Sequence, residues 1–313
     1  MAREASQDDW SQRKVLSEVM KGLDDTAWNR SPAEVLGDAI GQARQTLKAA
    51  DPFAKHRADV QKATRALAER YRERVAAAPD KLAFAALCAA AANVVDAMIL
   101  RDVDLEAELE ALVARGFSLG KAATLREAVE PAGQVVYLLD NAGEVRFDVL
   151  LIEQLRALGK RVRVFARGAG LLHDATLSEA AEAGLGRVVE VEVPEGGATD
   201  SAEGRVDDDL LELSEGVLGT QLPGPRNLKE ALVSAEVVIA KGSANYQTFS
   251  AKAARVPTVL HLLHVKCEPV AQSLGVEVGA LALVRQVGQP RTGVLKRADV
   301  MPAAPPPPAD DEG

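Results

Sequence analysis

Between about residues 9 and 130, apolar positions recur at helical spacing with few glycines and almost no strand-like alternation, which predicts a succession of helices. The stretch 81–100, KLAFAALCAAAANVVDAMIL, is Ala-rich and apolar around most of its circumference. It predicts a buried helix in which the polar Asn93 and Asp96 need partners or a site. After Pro131 short β-branched runs alternate with helical stretches. Strands are predicted at 134–139, 161–165, 187–193, 236–240 and 258–263, and helices at 145–158, 175–183, 226–234 and 246–254. That alternation implies a parallel sheet with crossover helices in a doubly wound, Rossmann-like layout. The chain divides into a helical region at 1–130, an α/β region at 131–298 and a Pro-rich acidic tail at 299–313 expected to be disordered.

Composition narrows the class of function. The 313 residues are 47% hydrophobic and 27% charged, as in an ordinary globular protein. A formal charge of −9 and aromatics at only 4% argue against nucleic acid or an anionic membrane as partner. Cys88 and Cys267 stand far apart, so a zinc cluster is not expected. Neither a signal peptide nor an apolar run of the ~20 residues a membrane span requires is visible, and the expected compartment is the cytoplasm. The oligomeric state is not legible.

In open α/β sheets ligands bind beyond the carboxyl ends of the strands, and three such places are chemically loaded. In VVYLLDNAGEVRFD a strand ends at Asp140, and Asn141, Ala142 and Gly143 form a turn that opens a helix at Glu144. Asp140 and Asn141 offer hard oxygen ligands, and N–H groups of the following turn suit a phosphate; the same turn also occurs in inert loops. After RVRVFARG, Asp174 precedes a helix, either as its N-cap or as a second carboxylate beside Asp140 if the two strands are neighbours. Asp140, Asn141 and Asp174 around one point would suit Mg²⁺ or Mn²⁺. In AEVVIAKGSANYQ a strand delivers Lys241 and Gly242 to the same edge: the ammonium can neutralise a phosphoryl oxygen, or be only a surface charge, and the glycine permits close backbone approach.

Other signals lead nowhere. Gly168 and Gly170 begin a GxGxxG whose third glycine is replaced by His173, and GFSLGK at 116–121 is one residue short of a P-loop. His261 and His264, three apart on an apolar strand, read as structural, and Cys267 as a packed or site-lining thiol. The acidic stretch at 194–215 reads as a solvated excursion or a lid.

With DNAGEVRFDVLLIE from Asp140, HDATLSEA from His173, IAKGSANYQ from Ile239, ANVVD at 92–96 and VKCEPVAQSLGV from Val265, the sequence resembles the damage-control phosphatases, ARMT-like proteins of the domain of unknown function 89 family. The resemblance implies an α/β fold in which the helical N-terminal region packs on a Rossmann-like, mostly parallel three-layer sandwich. It implies a metal-dependent phosphatase, a hydrolase of small phosphorylated metabolites such as sugar phosphates, using magnesium, manganese, cobalt or nickel. The family's metal ligands map onto Asp140, Asn141 and Asp174, and its phosphate-contacting lysine onto Lys241. Asn93 and Asp96 map onto positions that reach the substrate pocket, and Gly143, Glu144, Gly242 and Asn245 are carried with the motifs as substrate-binding candidates. Gln247 stands where the family often has Glu, which motivates the alternative of a non-catalytic phosphometabolite sensor with the same pocket. Whether Asp140 ligates metal or is itself the nucleophile is not decided by the sequence.

Overall fold

The computed structural model describes residues 8–24, 54–95, 104–166, 173–189, 191–192, 234–252 and 258–288, with isolated positions within 35–46 and 228–232. The predicted residue Asp96, the acidic stretch at 194–215 and the tail at 299–313 lie outside them.

The helical half contains α1 (Asp9–Asp24), α2 (Ala54–Ala77), α3 (Lys81–Ala91), α4 (Leu105–Arg115) and α5 (Ala122–Val129). Helix α3 is capped by the Asp80 carboxylate, which accepts from the Ala83 N–H, and its alanines allow close packing on every side. The helix predicted over 81–100 is shorter than expected: α-helical geometry stops at Ala91, and a 3-10 turn, Ala92–Val94, follows. The tighter turn precedes Val95, whose backbone leaves the helical region, and it carries Asn93, whose amide bonds Asp140 and Glu144.

The α/β half runs β1 (Gln134–Leu138), a 3-10 turn (Ala142–Glu144), α6 (Val145–Ala157), β2 (Arg161–Phe165), α7 (Leu177–Glu182), β3 (Val191–Glu192), β4 (Val237–Lys241), α8 (Gly242–Lys252), β5 (Thr258–His264), α9 (Glu268–Leu274) and β6 (Leu281–Val287). The sheet order is β3-β2-β1-β4-β5-β6. Pairings from β3 to β5 are parallel, and β6 adds antiparallel to β5. Alternate β1 side chains face opposite layers, as the pleat demands: Val135, Tyr137 and Leu139 enter a core with α2, α3 and α6, whereas Val136 and Leu138 pack with Leu228, Leu232 and Phe249. The fold is α/β in three layers around a mostly parallel sheet, as expected. Of the N-terminal helices, α3 meets both α6 and β5, and α5 meets β6.

Besides α3, three elements of the α/β half differ from expectation. Strand β6 was not foreseen; its apolar residues give way to an exposed Arg285 as the strand leaves the core. Strand β3 is described at Val191–Glu192, and 185–187 form a 3-10 turn where the sequence suggested strand from 187. Helix α8 starts at Gly242, immediately after the strand. No described helix is long and apolar enough to cross a membrane.

Candidate active site

The order of β1 and β4 creates the site. Successive strands leave β1 in opposite directions, so a crevice opens between the carboxyl ends of β1 and β4, where a doubly wound sheet accepts ligands. Register places Leu138 opposite Ala240, which brings Asp140 level with Gly242. Gly242 has φ +77°, and a Cβ there would lie 1.8 Å from Asp140 Oδ2. Glycine is required both by the backbone and by the carboxylate it faces.

The second acidic limb arrives as the neighbouring strand predicted it would. Asn141 forms an isolated antiparallel bridge with Asp174. The Ala142 N–H donates to His173 O at 2.7 Å and the Ala175 N–H to Asp140 O at 2.8 Å. Asp174 is not the cap of α7: Thr176 is, in a capping box with Glu179. Asp174 therefore does not start α7, and its backbone lies against Asn141 instead.

Asp140 is buried and held by amides. Asn93 Nδ2 donates to Asp140 Oδ2 at 3.0 Å and to Glu144 Oε1 at 2.7 Å. Asn141 Nδ2 donates to the same two oxygens, each at 3.0 Å, and the Asn141 N–H adds a bond to Glu144 Oε1 at 3.1 Å. Asn93 Oδ1 accepts from the His264 N–H, tying β5 to the cluster. Asn141 and Glu144 close a capping box in which the Asn141 side chain accepts from the Glu144 N–H. That N–H, expected to cradle a phosphate, is thus engaged by Asn141, and Glu144 enters the site through its carboxylate. Gly143 is buried against Val60 and Val95, where a Cβ would come within 2.2 Å of Val60 Cγ1.

Lys241 is wholly buried rather than displayed alone at the edge. Its ammonium pairs with Glu144 Oε2 and lies 2.8 Å from Asp148 Oδ1, which also accepts from the Tyr137 hydroxyl at 2.7 Å. Burial alone would raise the Glu144 carboxyl, but Lys241, Lys266 and the hydrogen bonds bring it below its ordinary value. Burial lifts Asp148 to about 7, against the pull of Lys241. Burial disfavours the Lys241 cation, yet the two carboxylates keep it protonated above its usual range. One ammonium serving two buried carboxyls favours the lower-energy ionisation at Glu144, where amides also donate. Asn245 Nδ2 donates to Lys241 O at 2.8 Å and to Leu139 O, pinning the ends of β4 and β1 together.

Asp148 and Tyr137 were missed in sequence, although Asp148 follows Glu144 at i+4 on the same helical face and stands inside the quoted motif. Among the described residues no cluster of three or more His, Cys, Asp or Glu side chains is gathered for a metal. The candidate donor set is two carboxylates and one amide, from Asp140, Asp174 and Asn141. It fits a hard divalent cation: the donors are all oxygen, their two backbone segments are stitched together, and the missing Cβ of Gly242 leaves room for the Asp140 carboxylate.

The chain as a whole has known counterparts. Residues 1–282 match the family described as the Damage-control phosphatase ARMT1-like domain, and the chain belongs to that family. It is 28% identical to a damage-control phosphatase of Archaeoglobus fulgidus over 240 residues, 75% of this chain and 76% of that protein. It is 29% identical to a damage-control phosphatase of Pyrococcus horikoshii over 240 residues, 75% of each. The fold is also that of a crystal structure of a domain of unknown function 89 family protein from Pyrococcus horikoshii, with TM-score 0.71 and 24% identity over 91% of this chain and 93% of that one.

Proposed function

We propose that this chain is a divalent-metal-dependent phosphomonoester hydrolase acting on small phosphorylated metabolites. The observation that carries the reading is the bridge between Asn141 and Asp174, which sets two carboxylate-bearing limbs side by side at the carboxyl edge of the sheet. Asp140, Asp174 and Asn141 would hold the cation, which when bound offsets phosphoryl charge and makes a bound water more acidic. Asn93 and Asn141 fix the Asp140 carboxylate by donating to one of its oxygens. Glu144 and Asp148 hold the Lys241 ammonium, which would supply positive charge toward a phosphoryl oxygen. Gly242 and Asn245 hold the strand ends in the register this geometry needs.

The test is phosphate release from sugar phosphates, phosphopantetheine and p-nitrophenyl phosphate by metal-stripped protein resupplied with Mg²⁺, Mn²⁺, Co²⁺ or Ni²⁺ in turn. Turnover is expected only with metal and is expected to vanish in Asp140→Ala and Asp174→Ala. Activity retained by both folded variants overturns the assignment. Thermal stabilisation by phosphorylated ligands without any phosphate release would instead identify a binding protein.

A further inference from the structure

A phenol, two carboxylates and an ammonium, all buried, form a chain that ends on Asp140. Glu144 Oε1 accepts from Asn93 Nδ2, Asn141 Nδ2 and the Asn141 N–H, and Oε2 pairs with Lys241. Every donor around Glu144 demands an ionised carboxylate, because a carboxylic acid would bring an O–H into a ring of donors. Each of the two asparagine amides has two N–H groups, and in each one goes to Glu144 and the other to Asp140 Oδ2. The Glu144 carboxylate therefore acts together with the His264 and Glu144 backbone N–H groups, which donate to the Asn93 and Asn141 amide oxygens, in setting which way both amides face and so which side of Asp140 is held.

Lys241 is what keeps Glu144 charged, but a lysine reaches its partner on four methylenes and does not position itself. Its direction is fixed from the far side. Asp148 Oδ1 lies 2.8 Å from the ammonium and is itself pinned by the Tyr137 hydroxyl. Burial and the neighbouring Asp148 push the Tyr137 phenol far above its ordinary value, so it remains a donor. Core packing alone gives no reason for this chain: an apolar replacement of a buried ion pair is often neutral or stabilising.

We propose that Tyr137 and Asp148 are positioning residues for Asp140: they lock the Lys241 ammonium against Glu144, which then fixes the Asn93 and Asn141 amides that hold the Asp140 carboxylate. The proposal rests on Asp140 belonging to the reacting centre, and its test separates the two claims. Tyr137→Phe removes only the hydroxyl, and Asp148→Asn keeps the shape of the side chain. The first readout needs no turnover: solvent exchange of the Asn93 and Asn141 side-chain amide protons in metal-free protein, followed by NMR and assigned with Asn93→Asp and Asn141→Asp. The second is kcat and KM for p-nitrophenyl phosphate with Mn²⁺.

Both variants are expected to speed exchange by on the order of tenfold and to lower kcat by on the order of 10- to 100-fold, with KM within about twofold. A merely structural role would lower thermal stability and move neither readout. Wild-type exchange in a folded variant overturns the proposal, whether or not kcat falls. If Asp148→Asn does not fold, Tyr137→Phe decides alone. If the wild-type protein releases no phosphate with any metal, faster exchange in the variants still supports the positioning chain while the phosphatase reading fails.

Discussion

The side chain that Gly242 lacks is as informative as the ones its neighbours carry. Its φ of +77° disfavours any L side chain, and an added methyl would occupy the space of Asp140 Oδ2. Gly242→Ala is expected to cost roughly 1–2 kcal/mol from the backbone alone, and more if Asp140 cannot move aside. Because Asp140 is the group displaced, phosphate release should fall by more than about tenfold even at temperatures where the variant is folded. Urea unfolding and a phosphate assay on the same preparation check both parts. The close approach at Gly242 was legible in sequence from a glycine directly after a strand; its target was not. The same holds for Lys241, whose place at the sheet edge was legible while its burial between Glu144 and Asp148 was not. Contacts between residues 97 apart, as in that pair, leave no trace in local periodicity.

At the scale of elements, helix α2 acts as a clasp on the limb that bears Asp174. Arg57 Nε donates to Glu179 Oε1 at 2.9 Å, and Gln61 Nε2 donates to Glu179 O at 3.0 Å. Glu179 also closes the capping box that starts α7 two residues beyond Asp174. Arg57→Ala leaves a nearly buried carboxylate without its guanidinium and is expected to cost about 3 kcal/mol of stability. It should also weaken Mn²⁺ binding measured by calorimetry, since the Asp174 limb loses its brace; unchanged affinity would show that the β1 bridge alone holds the limb. The hydrophobic pattern anticipated β1, β2, β4, β5 and α6 closely, because β-branched runs and 3.6-residue periodicity are local signals. It did not anticipate the end of α3 at Ala91, where alanine favours continuing and the demands of Asn93 lie in distant elements. Nor does periodicity encode strand order, which is why the meeting of Asp140 and Asp174 was only conditional in sequence. The clasp was beyond reach altogether, since Arg57 and Glu179 are 122 residues apart.

Across the whole molecule, buried titratable groups pull stability in opposite directions as pH falls. His261 on β5 packs edge-on to Tyr246 of α8, and its Nε2 meets Gln286 Oε1 of β6 at 3.2 Å. Burial lowers His261 to about 4, and burial with Lys266 and Arg115 lowers His264 to about 4. A folded-state value below the unfolded 6.5 means that the unfolded chain takes up the proton first, so each histidine contributes stability that is present above 6.5 and lost as pH falls through 4. Asp148, raised from 3.8 to about 7, has the opposite sign: its contribution is greatest at low pH and is lost as pH rises through 7. Between pH 4 and 6.5 the two histidines outweigh the one aspartate, so together these three groups give a slope of stability lost on acidification. His261→Gln should flatten that slope, because a histidine proton is removed from the balance. Asp148→Asn should steepen it, because the opposing carboxyl is gone. Urea midpoints taken from pH 4 to 7 on the two variants and the wild-type chain measure this directly. A His261→Gln profile parallel to that of the wild type would mean that His261 is protonated without loss of the fold, and that the β5–β6–α8 packing yields to admit the charge.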